Sequence, residues 1–103
     1  MPATGTPIFS AHISTEVDRA VSILRKVDGV KYVWFFGSHA QYRGRPDSDL
    51  DFAVEGLPRE NHYAVLGELM LALRKPVDLV RWEEASNALR AEIKRQGTVV
   101  YAD

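Results

Sequence analysis

The chain of 103 residues contains no cysteine. This absence excludes disulfide bonds, zinc sites built on thiolates and a cysteine nucleophile. The sequence also has no apolar run approaching the roughly 20 residues that a membrane-spanning helix needs. Its first residues, MPATGTPIFSAH, lack the basic and apolar segments of a secretory signal. We therefore expect a soluble, cytoplasmic protein.

An excess of charge of either sign is also missing. The 13 lysines and arginines and the 14 aspartates and glutamates give a formal net charge of -1. Proteins that bind nucleic acid in general usually show a marked basic excess, so we expect no direct nucleic-acid binding. The length allows one domain with a single core, and any elaborate acceptor pocket must then come from another chain.

Hydrophobic periodicity predicts a small α/β (α+β) domain, in which helices pack against a mixed sheet of about four strands. We assign residues 1–12 to a flexible N-terminal arm and residues 13–103 to the domain. A capping-box spacing between Thr15 and Asp18 predicts the start of the first helix, and further helices are predicted over Arg59 to Arg74 and over Glu83 to Arg95. The stretch HAQYRGRPDS is predicted to hold at most a short helical turn and a loop, and the predicted strands are VKYVWFF, DLDFAVEG, VDLVRW and TVVYA. Inward-facing helix positions are expected at Val17, Ala20, Val21, Leu24, Val27, Tyr63, Leu66, Leu69, Met70, Leu73, Ala85, Ala88, Leu89 and Ile93.

Two aspartates, Asp49 and Asp51, stand one residue apart at the start of the predicted strand DLDFAVEG. Alternate residues of a strand point to the same face, so both carboxylates should lie on one side of the sheet and Leu50 on the other. Such a pair can converge on a hard divalent cation such as Mg²⁺. Taken alone, the pair is weak evidence and is explained better by a solvated strand end.

Two further features change the interpretation of this pair. Gly37-Ser38 ends the preceding strand, where the missing Cβ lets a phosphate approach the backbone and the serine can donate its hydroxyl. Asp78 interrupts the apolar stretch PVDLV, so its side chain faces either solvent or a specific partner. Beside the Asp49 and Asp51 strand, it would complete a three-carboxylate site for two-metal phosphoryl or nucleotidyl transfer.

The stretch GSHAQYRGRPDSDLD resembles the signature of the nucleotidyltransferase superfamily that includes DNA polymerase beta, and in particular its minimal nucleotidyltransferase (MNT) branch. That signature is Gly-Ser, ten residues, then Asp-x-Asp, and Gly37-Ser38 with Asp49-Leu50-Asp51 matches it without a gap. The predicted order of elements agrees along most of the chain. One departure is Gln41-Tyr42, where many relatives have Arg-Gly.

The resemblance implies a nucleotidyltransferase fold, and it implies roles for five residues. Gly37 and Ser38 would hold the β and γ phosphates of ATP. Asp49 and Asp51 would bind two Mg²⁺ ions, while Asp78 would complete the metal site and help to deprotonate the acceptor hydroxyl.

The resemblance also implies a partner. Small MNT proteins commonly work beside a helical HEPN-domain protein, a ribonuclease toxin, and act as its antitoxin by transferring AMP from ATP to a toxin tyrosine. Two alternatives stay open. The protein could neutralise its partner by binding alone, or it could modify a small molecule as a subunit of a larger assembly, in the manner of aminoglycoside nucleotidyltransferases.

Overall fold

The computed structural model describes residues 11–37 and 49–103. Within these ranges the helices are α1 (Ala11–Leu24), α2 (His62–Leu73) and α3 (Asn87–Gln96), and the strands are β1 (Tyr32–Phe36), β2 (Leu50–Glu55), β3 (Val77–Arg81) and β4 (Thr98–Ala102). Short 3-10 turns at Arg59–Asn61 and Trp82–Glu84 follow β2 and β3. The predicted fold class is confirmed.

The four strands form one mixed sheet in the order β3-β2-β1-β4. The central strand β1 pairs antiparallel with both β2 and β4, whereas β2 and β3 are parallel. Parallel neighbours need a crossover connection, and α2 supplies it between β2 and β3. This order places the strand that follows Asp49 directly beside the strand that carries Asp78.

Side chains on the two faces of the sheet belong to two separate cores. The larger core joins one face to α1 and α2, and includes the fully buried rings of Phe35 and Phe52, whose centroids are 5.2 Å apart. The smaller core joins the other face to α3 through Trp34, Ala53 and Ile93. Because Asp51 alternates with Phe52 along β2, its side chain lies on the α3 side.

Two predicted helix starts are wrong. Helix α1 already includes Ala11, so Thr15 lies inside it and does not cap it. Helix α3 begins only after Ser86, whose side chain accepts a hydrogen bond from the Leu89 amide at 3.1 Å and so replaces a missing helical partner. The segment from Trp82 to Glu84, predicted as strand end and helix start, is a 3-10 turn.

Three residues that were predicted to face inward are exposed: Tyr63 and Met70 on α2, and Ala88 on α3. Residues 1–10 of the predicted arm and the predicted turn after Ser38 lie outside the described residues. No helix in the described ranges has the length and apolar character needed to cross a membrane.

Candidate active site

Asp51 lies near the start of β2, between two neighbouring strands. Its paired residue on β1 is Phe36 and its paired residue on β3 is Asp78. Paired residues on adjacent strands share a face and are about 5 Å apart, so the structure brings Asp51 and Asp78 side by side. Asp49 is exposed and directly precedes β2. A hydrogen bond of 3.0 Å from the Leu50 amide to the Pro76 carbonyl holds the starts of the two strands together.

The carboxylates of Asp78 and Asp49 act electrostatically on Asp51. The pKa of Asp51 is raised from its usual value of 3.8 to about 6, first by burial, then by the negative charge of Asp78 and then by that of Asp49. Like charges that raise the pKa of a neighbouring carboxyl group would be offset by a bound cation. The arrangement therefore favours a positively charged ligand in front of Asp51.

Gly37, the residue after β1, lies against the carboxylate of Asp51. Its φ angle of +85° is in the left-handed region that favours glycine. A Cβ atom at this position would overlap the Oδ2 atom of Asp51. The glycine is thus required both for the turn and for the space that the Asp51 carboxylate occupies. Ser38, the other half of the predicted phosphate site, lies outside the described residues.

An aromatic stack lies further along the same face of the sheet, and the sequence analysis missed it. Trp34 and Trp82 are stacked with centroids 4.4 Å apart, and Arg90 and Lys94 of α3 place their cationic groups 5.3 and 5.6 Å from the Trp82 ring. Period-two alternation in YVWFF puts Trp34 and Phe36 on one face of β1, and the register with β2 shows that this is the face of Asp51. This stack supports the sheet behind the acidic group.

The chemistry of the donors fits Mg²⁺, which prefers oxygen ligands and keeps part of its coordination shell for substrate phosphates and water. Asp49, Asp51 and Asp78 would hold the ion. Within residues 11–37 and 49–103, no group of three or more His, Asp or Glu side chains is close enough to bind a metal ion by itself. Both the donor chemistry and the absence of a complete protein-only site among the described residues are consistent with a site that the triphosphate completes.

The raised pKa of Asp51 predicts a pH-dependent cost to stability. Between its usual value of 3.8 and the folded value of about 6, the folded protein keeps a proton that the unfolded chain has lost. The free energy of unfolding should therefore fall as the pH rises through this window, relative to an Asp51→Asn variant that cannot titrate. We expect the difference between the two proteins to grow by about 1 to 2 kcal/mol, after allowance for solvent screening of a half-buried group.

Urea denaturation of both proteins in steps from about pH 3.5 to 7 measures this difference. Comparison at each pH cancels the other titrating groups, including Glu84, whose pKa is lowered by hydrogen bonds from Arg59 and Arg81. A difference that stays constant across the window would show that Asp51 titrates like an ordinary exposed aspartate.

Comparison of the sequence with known protein families shows which family the chain belongs to. The sequence profile described as polymerase beta, nucleotidyltransferase matches residues 19–103. The chain belongs to this nucleotidyltransferase family. The family predicted from the Gly-Ser and Asp-x-Asp signature is thereby confirmed, while the roles of the individual site residues stay predictions. No curated protein matches the chain.

Solved nucleotidyltransferase-fold structures resemble the chain over most of its length. A toxin–antitoxin complex with AMP-PNP is 26% identical, with a TM-score of 0.77, over 84% of this chain and 73% of that chain. A structure described as a minimal nucleotidyltransferase is 25% identical, with a TM-score of 0.74, over 90% and 97% of the two chains. A complex of tri-AMPylated HEPN toxin with MNT antitoxin from Shewanella oneidensis is 23% identical, with a TM-score of 0.72, over 87% and 72%, and this likeness shows the fold alone.

Proposed function

We propose that this protein is a Mg²⁺-dependent adenylyltransferase that transfers AMP from ATP to a tyrosine hydroxyl of a HEPN-type toxin and so acts as its antitoxin. The observation that carries the proposal is the placement of Asp51 beside Asp78 and against Gly37. Membership of the nucleotidyltransferase family supports the reaction type. A similar structure supports the partner, since the match at 26% identity is described as a toxin–antitoxin complex with AMP-PNP.

In the proposed reaction, the tyrosine oxygen attacks the α-phosphorus of ATP. The bond from that phosphorus to the bridging oxygen breaks, and pyrophosphate leaves. The phenol proton passes to the carboxylate of Asp78. Asp51 and Asp49 stay negatively charged and would hold the Mg²⁺ that accompanies ATP. Mg²⁺, when bound, neutralises phosphate charge and lowers the pKa of the attacking hydroxyl. Gly37 and Ser38 would accommodate the β and γ phosphates at the bend after β1.

The acceptor surface is expected to come from the partner chain. Two grooves, of about 410 and 620 Å³, run between α1 and α2. Both lie between the helices that cover the face of the sheet opposite to Asp51. A partner that approaches the α3 side would supply the tyrosine.

Incubation of the protein with ATP labelled on the α-phosphate, Mg²⁺ and a HEPN protein encoded beside it tests the reaction. We expect the label on a tyrosine of the HEPN protein, identified by mass spectrometry, and no transfer of a label from the γ-phosphate. Chelation of the metal by EDTA should abolish labelling.

The same mixture separates catalysis from neutralisation by binding. If the antitoxin acts catalytically, a small fraction of one equivalent should suppress the ribonuclease in the presence of ATP. The double variant Asp49→Ala, Asp51→Ala should then lose this effect. Suppression that needs one equivalent and survives in the double variant would overturn the proposed reaction and favour an antitoxin that only binds.

A further inference from the structure

Helix α2 has an apolar face that no part of the described chain covers. Tyr63 and Leu71 are 82% and 84% exposed, and Met70 is 47% exposed. The buried side of the same helix is formed by Val65, Leu69 and Leu73, so α2 is apolar on its buried and its exposed side apart from His62 and Glu68. An apolar helix is normally buried on every side, and a contiguous exposed apolar face marks an interaction surface.

Gly67 lies at the centre of this face, and the described residues give no steric reason for a glycine there. A Cβ atom at Gly67 would meet no other atom within 4 Å, so the position has room for a side chain. A glycine within a helix is less favourable than an alanine. With Tyr63 four residues before it and Leu71 four residues after it, the glycine forms a notch that allows another helix backbone to come close.

The charges at the two ends of the face are complementary to each other. Glu60 lies seven residues before Gly67 and Arg74 seven residues after it, both on the exposed side. Neither forms an ion pair within the described part of the chain. Glu60 lies in the 3-10 turn that leads into α2, and Arg74 is the residue at which α2 ends, so the two charges flank the two ends of the apolar face.

We infer that the exposed face of α2, formed by Tyr63, Ala64, Gly67, Met70 and Leu71, binds the same face of a second copy of this chain in an antiparallel helix pair. A two-fold axis at Gly67 brings positions that are equally far before and after Gly67 to the same level. Tyr63 of each copy then lies near Leu71 of the other, and Glu60 near Arg74. Such self-complementarity is the requirement of a two-fold interface.

The position of this face in the fold is compatible with the proposed transfer, although the inference does not depend on it. Helix α2 packs on the face of the sheet opposite to Asp51 and Asp78. Two copies joined through α2 would keep both acidic groups open. A partner confined to α2 would lie on the face of the sheet opposite to the carboxylates.

The size of the surface predicts a weak dimer. Stable complexes bury about 800 Å² of surface per partner. A 12-residue helix presents less surface than that. The neighbouring groove of about 620 Å³, lined in part by Ile23, Val27 and Val65, adds apolar surface beside the helix. We expect a dimer that dissociates at low micromolar concentrations and dominates well above them.

Cysteine cross-linking tests the two-fold axis, because the natural chain contains no cysteine. A residue on the axis faces its own copy, so Gly67→Cys should form an intermolecular disulfide under mild oxidation. Val99→Cys is the matched control, since Val99 is also an exposed apolar residue but lies on the edge strand β4. Cross-linking of Val99→Cys with none of Gly67→Cys would overturn the proposed interface and indicate pairing through the edge of the sheet.

Sedimentation equilibrium on charge variants tests the contact between Glu60 and Arg74. Glu60→Arg or Arg74→Glu alone places like charges opposite each other and should weaken dimerisation at least about fivefold, whereas the double swap should restore it. Leu71→Glu should weaken dimerisation at least about tenfold, whereas Val99→Glu should have no effect on it. Circular dichroism checks that each variant is folded.

Two results would overturn the inference. One is a chain that stays monomeric up to several hundred micromolar. The other is a dimer that Leu71→Glu leaves unchanged. A monomer whose complex with the HEPN protein is broken by Leu71→Glu would assign the face to the acceptor protein and not to a second copy.

Discussion

Replacement of Asp51 by asparagine is expected to lower the rate of AMP transfer at least about 1000-fold, which corresponds to about 4 kcal/mol of lost transition-state stabilisation. Asp51 lies between Phe36 and Asp78 and is the carboxylate on which both other acids act. An amide keeps the size of the side chain but removes the charge that attracts a divalent cation. Single-turnover labelling of the partner with saturating ATP measures the loss.

The matched control is Glu55→Gln, at the other end of the same strand. Glu55 is also half-buried, and its position differs from that of Asp51 by an even number of residues, so it lies on the same face. Because Glu55 lies at the opposite end of β2 from Asp51 and its neighbour Asp78, Glu55→Gln should leave the rate of transfer within about twofold of that of the natural protein. Equal losses in the two variants would show that the sheet, and not the acidic group, is what the reaction needs.

The stability of the Asp51→Asn variant distinguishes a metal ligand from a structural residue. Because burial and neighbouring charges raise the pKa of Asp51, its charged form destabilises the fold at neutral pH. Asp51→Asn should therefore be inactive and yet at least as stable as the natural protein, a combination typical of functional residues. Full activity, or loss of folding, would contradict the assigned role.

The acidic group could be predicted from the sequence because it rests on local rules. Alternation along a strand puts Asp49 and Asp51 on one side, and the apolar neighbours of Asp78 identify it as an exception within a buried strand. The contact between Asp51 and Asp78 could not be derived in this way, since it depends on β2 and β3 being parallel neighbours. Strand order is a property of the tertiary structure, and hydrophobic periodicity does not determine it.

Which side of helix α2 faces the sheet, in contrast, could not be predicted from the sequence. Its apolar residues recur at helical spacing on more than one side, so periodicity cannot decide which side faces the sheet. Prediction assigned Tyr63 and Met70 to the core together with Leu69 and Leu73, and the structure leaves the first two exposed. The same excess of apolar residues that misled the prediction forms the surface proposed for dimerisation. The start of α1 was wrong for a different reason, because the Thr15 and Asp18 spacing occurs inside a helix as readily as at its start.

Gly56→Ala is expected to cause the largest loss of stability among the substitutions considered for this chain. Gly56 follows β2 with a φ angle of +93°, and it lies against Gly29, which follows α1 with a φ angle of +97°. A Cβ atom at Gly56 would overlap the carbonyl of Gly29 and come within 3.2 Å of the Val30 Cα atom. These contacts are with backbone atoms, so no side-chain rotation can relieve them.

The strain of a left-handed alanine and the forced separation of two backbone segments together should cost about 3 kcal/mol or more. The separation would also disturb two hydrogen bonds of 2.8 Å, from the Lys31 amide to the Glu55 carbonyl and from the Gly56 amide to the Glu83 carboxylate. For a domain of this size, such a loss corresponds to a fall in Tm of more than about 12 °C. Thermal and urea denaturation measure it.

Gly67→Ala is the matched control, since it is the same substitution at a site where a Cβ atom meets nothing. At protein concentrations below a few micromolar, where the chain should be monomeric, Gly67→Ala should raise the free energy of unfolding by about 1 kcal/mol through helix propensity. Opposite signs for the two substitutions would locate the effect of Gly56→Ala in its contact with Gly29. A loss below about 1 kcal/mol in Gly56→Ala would mean that the two turns can move apart at little cost, and that their close approach does not hold the start of β1 against the end of β2.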